Sequence, residues 1–230
     1  TLPALGSKLP RLGLGVMTRR ALFPAASVVR KGKYSVWVRL PGTVVDAYVC
    51  AAYIPVYDNL KKAALKEILA GCREYRDKGL VVIGGDLNAR CGCNGDPVIN
   101  KYGRDLSKGC AEESLCIVNE LADLCRGEFT RVQDVVLDGV VHTRKTTLDY
   151  VLVPLQQQGR VLGLVIDAES GLDSDHRPVR VSVRWNHGPA QLVKRPPARE
   201  RWRLSSMKPT DWSAFSRACE TEMDPIAMAD

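Results

Sequence analysis

Two polar side chains, one residue apart, follow directly on an apolar run: Leu80-Val81-Val82-Ile83-Gly84-Gly85 leads into Asp86-Leu87-Asn88-Ala89-Arg90. The run reads as a buried strand, and alternation along an extended segment predicts that Asp86 and Asn88 point the same way. A carboxylate beside an amide can bind a hard cation and orient a phosphate or a water. Three further short stretches place polar groups at the ends of other expected strands: Tyr53 in Ala52-Tyr53-Ile54-Pro55, Asp149 in Thr147-Leu148-Asp149-Tyr150-Val151-Leu152, and Asp175-His176 in Ser174-Asp175-His176-Arg177-Pro178. Singly, each has a plain structural reading as a half-buried tyrosine, a charge at a sheet end, or a turn before a proline. Jointly they supply what phosphodiester hydrolysis needs: carboxylates for a divalent cation, a proton-transfer group, and an orienter for it.

The elements that must position these groups follow from periodicity. Residues 33–40 alternate strongly, Pro41-Gly42 turns the chain, and 44–54 form a longer strand closed by Pro55, so two antiparallel strands are expected. Asn59 is placed to cap a helix through residue 76, with Leu60, Ala64, Ile68, Cys72 and Tyr75 as its apolar stripe and Lys61, Lys62, Lys66 and Glu67 outside it. A loop over 91–101, a helix over 103–112 and a strand over 115–119 follow. Strands at 128–130 and 146–153 flank a polar turn region at Asp138-Gly139, and 161–167 and 178–185 add two more. The glycine-bearing 12–18 segment is a further strand candidate. After Trp185 the composition shifts to Asn186-His187-Gly188-Pro189 and Lys194-Arg195-Pro196-Pro197, which divides the chain into a domain over 1–185 and a linker with a partial segment over 186–230, including a short helix from Thr210.

A chain of 230 residues, 45% hydrophobic and 26% charged, is long enough for one sizeable α/β domain. The net charge of +7 and the pI near 9.0 favour polyanionic partners. Lys8, Arg11, Arg19, Arg20, Arg30, Lys31, Lys33 and Arg39 all precede the first acidic residue, Asp46, so this end is expected to face phosphate or to be a solvated face near it. The eight cysteines lack paired C-x-x-C spacing and read as buried reduced thiols. No apolar stretch reaches membrane-spanning length, and neither a membrane nor a secretory context is expected.

Gly85-Asp86-Leu87-Asn88-Ala89-Arg90, Leu148-Asp149-Tyr150-Val151-Leu152 and Ser174-Asp175-His176-Arg177-Pro178-Val179, in this order, resemble the endonuclease/exonuclease/phosphatase superfamily. The Asn-Ala-Arg ending, the Thr-Thr-Leu-Asp-Tyr-Val-Leu form and Arg201-Trp202 resemble the endonuclease domains of non-LTR (LINE-type) retrotransposons. That resemblance covers about residues 12–185. It implies a four-layer α/β sandwich of two sheets and a Mg2+- or Mn2+-dependent endonuclease that nicks DNA, acts in the nucleus, and is followed by a reverse transcriptase. It implies that Tyr53 contacts the scissile phosphate, that Asp86 positions or deprotonates the attacking water, and that Asn88 binds a phosphate oxygen. Asp175, with Asp86 and Asn88, is implied at the metal. His176 is implied as general base or phosphate ligand, with Asp149 fixing its tautomer. Thr147 and Arg90 are the candidates for DNA contact.

One departure bears on activity. The resembled proteins begin with a strand carrying an Asn and a later strand ending in a metal-binding Glu, yet the 52 residues before Tyr53 contain no Glu and one Asp. The amino-terminal part is expected to be missing, the sheet to lack its first strands and expose an apolar edge, cation binding to be weak, and this chain as given to be a poor nuclease or none. Two other functions stay open: a phosphoesterase acting on nucleotides or phosphoinositides, and a non-catalytic nucleic-acid-binding remnant.

Overall fold

The apolar runs do form strands, and the alternation within them sorts side chains onto two cores. In this computed structural model, which describes residues 14–169 and 174–185, Gly79–Asp86 is the fourth strand (β4). Val81 and Ile83 face one core and Leu80 and Val82 the other. The same period runs through Asp149–Pro154 (β9), where Tyr150 and Leu152 alternate with Val151 and Val153. Both strands are buried on both faces because each lies inside a sheet that is itself a middle layer.

That sheet is six-stranded, in the order β1-β2-β3-β4-β9-β5. Its other members are Ser27–Lys31 (β1), Ser35–Leu40 (β2), Asp46–Tyr53 (β3) and Leu115–Ile117 (β5). β2 and β3 are antiparallel, as expected, and β3 runs parallel to β4. The parallel pair needs a crossover, which Asp58–Tyr75 (α1) supplies. α1 begins one residue before the expected cap: Tyr57 takes the N-cap position without a side-chain bond, and Asn59 lies inside the first turn. Ala64, Ile68, Leu69, Cys72 and Tyr75 bury α1 on the sheet beside Trp37, each large apolar side chain contributing about 1.5–3 kcal/mol. Lys61, expected on the outer face, is buried instead, with its ammonium 3.3 Å from the centre of the Tyr102 ring. Lys101–Glu112 (α2) joins the same layer, capped by Asn100, whose side chain accepts the Gly103 N–H at 2.7 Å.

On the opposite face lies a three-stranded sheet, ordered β11-β10-β6, made of Cys125–Arg126 (β6), Val161–Ile166 (β10) and Val179–Val183 (β11). Val161, Leu164 and Ile166 pack on Leu80, Val82, Val151 and Val153. The architecture is a two-sheet α/β sandwich. The described residues supply three of its layers, with both helices on one side and Leu162 and Val165 exposed on the outer face of the smaller sheet. A separate hairpin, Arg131–Leu137 (β7) and Val140–Thr146 (β8), turns at Asp138 and Gly139. Their φ values of 51° and 78° are those of a two-residue type I′ turn.

Several expectations change. Residues 128–130 form no strand, because Phe129 turns at a φ of 51° and donates its N–H to the Asn94 carbonyl. The strand begins at Arg131, and what read as a polar turn region is a full hairpin. The described part of the 12–18 segment is not a strand either, while Ser27–Lys31, read only as basic sequence, pairs with β2. Within the basic beginning, Arg39 pairs with Asp46 at the end of the sheet away from Tyr53 and Arg30 pairs with Glu74, while Lys8 and Arg11 lie outside the described residues. Of the cysteines, Cys50, Cys72, Cys91, Cys110 and Cys116 are buried, Cys93 and Cys125 are half-buried, and all seven are free thiols. No helix is long and apolar enough to cross a membrane among the described residues. The tail over 186–230 and its expected helix lie outside them.

Candidate active site

Strand register builds the site. Tyr53 at the end of β3 pairs with Asp86 at the end of β4, and Asp86 pairs in turn with Asp149 at the start of β9. Three polar residues from stretches far apart in sequence thereby form one row across the sheet end. Gly85 makes this row close: its φ is +153°, and a Cβ there would lie 1.8 Å from the Ala52 carbonyl oxygen of β3.

Asp86 and Asn88 do meet, but not by alternation. β4 ends at Asp86, and Asn88 adopts a left-handed φ of 45°. The Asp86 carboxylate closes a turn on itself, accepting the Asn88 N–H at 2.9 Å and its Nδ2 at 3.1 Å. Asn88 Nδ2 also donates to the Ile54 carbonyl at 2.9 Å, tying the turn to the segment that follows Tyr53. Burial, opposed by the Asn88 N–H and reinforced by the nearby Asp149 charge, pushes the Asp86 carboxyl up to about 6. Burial, with Asp86 next, also raises the Tyr53 phenol.

Asp149 is the most firmly held member. Thr130, fully buried, accepts the N–H groups of Leu148 and Asp149 at 2.9 and 3.0 Å. Asn119, also buried, accepts the Val151 N–H and donates to the Asp149 carbonyl at 3.2 Å. The Asp149 carboxylate lies 2.9 Å from His176 Nδ1, so the ring nitrogen donates and Nε2 is left for other work. Thr130 and Asn119 escape sequence reasoning because a threonine or an asparagine at the end of an expected strand carries no signal of which backbone it will hold.

The Asp175-His176 turn is stitched to the base of the hairpin. Arg131 bridges His176, the Val132 N–H donates to the Asp175 carbonyl at 2.8 Å, and the Arg177 N–H donates to the Thr130 carbonyl at 2.7 Å. Arg131, absent from the expected residues, donates through Nε to the Asp175 carboxylate at 2.7 Å and through Nη2 to Gln133. That guanidinium holds the Asp175 carboxyl below its ordinary value. Of the two expected DNA contacts, Thr147 is fully buried, with its N–H on Asp96, and Arg90 grips the same carboxylate at 2.8 and 2.6 Å. Burial pushes the Asp96 carboxyl up, and the bonds from Arg90, Thr147 and Val98 outweigh it, so its net shift is downward.

A divalent cation held by Asp86, Asn88 and Asp175 needs their oxygens free and convergent. Here both Asp86 oxygens accept from Asn88, and Asp175 is ion-paired with Arg131. Among the described residues no three His, Cys, Asp or Glu side chains are grouped to hold a metal ion. The donor set as arranged does not fit a cation.

The chain has the endonuclease/exonuclease/phosphatase fold: a two-sheet sandwich with a polar row at the strand ends of the larger sheet, where Asp149 meets His176 from the segment before β11 of the smaller one. It superposes on the endonuclease domain of TRAS1, a telomere-specific non-LTR retrotransposon, with a TM-score of 0.56 and 20% identity, covering 70% of this chain and 69% of that one. The 3′-5′ exonuclease NExo from Neisseria meningitidis matches with a TM-score of 0.50 and 15% identity, covering 70% and 71%. The 3′ phosphatase NExo from Neisseria, bound to a product DNA hairpin, gives 0.51 and 13% over the same shares. No protein-family model and no curated protein matches the sequence.

Proposed function

We propose that this chain carries the hydrolytic site of a DNA-nicking phosphodiesterase, of the kind that serves a non-LTR retrotransposon. The observation that carries the reading is the convergence of Asp86, raised to about 6, with the His176-Asp149 pair at one end of the sheet. A carboxyl poised near neutrality and an oriented imidazole form an acid-base pair suited to in-line displacement. Ionised Asp86 accepts the proton of a water attacking phosphorus. The ester P–O bond breaks, and the imidazolium form of His176, its Nδ1–H held by Asp149, hands the leaving oxygen the proton of Nε2. Tyr53, in the same row, contacts the phosphate. The hairpin beside the site, with Val136, Leu137, Val140 and Val141 exposed towards its tip, suits an extended partner better than a free nucleotide.

Plasmid nicking, with Mg2+ or Mn2+ supplied, tests the reading. Supercoiled DNA is expected to relax with the unaltered chain and not with His176→Ala, and the rate is expected to rise as pH increases through about 6, where Asp86 ionises. Nicking unaffected by His176→Ala refutes it. A second reading, a nucleic-acid-binding module without catalysis, is favoured by the Arg131-Asp175 pair, which occupies a residue the metal chemistry needs. DNA binding without nicking under any divalent cation selects it.

A further inference from the structure

The geometry points to Arg131 as a built-in phosphate-binding cation, through which the site grips a DNA phosphodiester without a divalent metal. The inference rests on DNA being the partner, as proposed above, but not on hydrolysis.

A guanidinium carries five N–H donors in a planar fork. At Arg131, Nε is spent on Asp175 and Nη2 on Gln133, while Nη1 has no hydrogen-bond partner among the described residues. The side chain is 33% exposed, so the fork is anchored on one edge and open on the other. Its position is fixed by backbone on both sides, since Arg131 pairs with Thr146 across the hairpin and bridges His176. Arg131 is joined to the polar row through His176, which it bridges and which lies 2.9 Å from Asp149. His176 Nε2 and the Tyr53 hydroxyl also lack protein hydrogen-bond partners among the described residues, and register and the His176–Asp149 bond link Tyr53, Asp86, Asp149 and His176 at one end of the sheet. An anion with several acceptor oxygens can accept from Arg131 Nη1, from the Tyr53 hydroxyl and, when the ring is doubly protonated, from His176 Nε2, and a guanidinium anchored by a carboxylate is pre-organised for it. The same pair explains why the donor set fails a cation: the positive charge beside Asp175 is already supplied by the chain. A solvated surface ion pair would need neither the Gln133 bond nor the backbone clamp.

The test is fluorescence anisotropy of a short labelled DNA duplex in EDTA, over a series of salt concentrations, with thermal melts confirming that each variant is folded. The unaltered chain is expected to bind in EDTA. Arg131→Gln, which can still donate to Asp175, is expected to bind roughly tenfold more weakly and to lower the salt slope by about one. Arg131→Lys, keeping the charge without the fork, is expected to keep most of the slope and lose part of the affinity. Equal affinity and slope for Arg131→Gln, or binding by the unaltered chain only after Mg2+ is added, overturns the inference. Arg131-dependent binding without nicking upholds it while the hydrolytic reading fails. Nicking that depends on His176, with DNA affinity indifferent to Arg131, does the reverse, and no binding at all removes both.

Discussion

Asp86→Asn separates the electrostatic cost of the site from its hydrogen bonding, because the two act at different pH. The rise of the Asp86 carboxyl from 3.8 to about 6 is caused first by burial. Full transfer of that shift into stability is about 3 kcal/mol, and partial exposure of Asp86 reduces it to about 2. The sign follows from proton binding: the folded state holds the proton more tightly than the unfolded chain. That stability is complete below about pH 4 and is lost as pH rises through about 6, so above that range the fold carries a buried charge it would be better without. An amide at position 86 removes the charge and can still accept the Asn88 N–H, but it forfeits the second bond, from Asn88 Nδ2, worth about 0.5–1.5 kcal/mol. The substitution is therefore expected to stabilise the protein by about 1 kcal/mol near pH 7.5 and to destabilise it by a similar amount near pH 4. Urea unfolding at both pH values measures the swing of about 2 kcal/mol, and near neutrality the melting temperature should rise by roughly 2–4 °C. A stability difference of one size and sign at both pH values would refute the assignment of burial as the dominant cause.

Three further substitutions probe the scaffold under the site. Gly85→Ala combines a φ of +153° with a Cβ 1.8 Å from the Ala52 carbonyl oxygen, so it is expected to cost more than about 3 kcal/mol in chemical denaturation; a loss under about 1 kcal/mol contradicts the close approach. Thr130→Val keeps the shape but strips the acceptor from two N–H groups at the start of β9, and a loss of about 2–4 kcal/mol is expected, together with faster amide exchange at Leu148 and Asp149. Unchanged exchange there refutes the clamp. Tyr150→Phe leaves the Cys91 N–H, 3.2 Å from the phenol oxygen in the buried core, without its acceptor and is expected to cost about 1–3 kcal/mol, measured by thermal melting.

The fold was legible where one physical signal dominated. β4 and β9 combine apolar runs with alternation between two cores, and β4 ends and β9 begins in the polar group that marks the sheet edge. α1 shows its stripe, although its start is not marked, because the N-cap is an uncapped tyrosine and Asn59 imitates a cap two residues too late. Ser27–Lys31 pairs through backbone groups and carries exposed charges, so its strand character is set by β2 rather than by its own pattern. The β7–β8 hairpin is hidden for a related reason: most of its side chains are exposed, and without a buried face period-2 alternation loses its meaning. Only Asp138-Gly139 announced a turn.

The site shows the same division at the scale of single residues. Tyr53, Asp86, Asp149 and His176 end apolar runs or open a turn, and register alone brings them together. Residues whose partner is a backbone group or a distant charge could not be ranked in the same way. Thr147 and Arg90 looked available because they flank motif residues, yet a single buried carboxylate, Asp96, consumes both. Arg131 reverses that case: it lies in no motif, in an interval read as a turn, and the structure places its guanidinium on Asp175 beside His176. A carboxylate can be counted in a sequence, but whether it is free to hold a cation depends on which cation of the chain arrives first, and that is decided by how the hairpin base pairs with the turn bearing Asp175. The chemistry this fold can perform is therefore set as much by the strand that brings Arg131 as by the acidic residues around it.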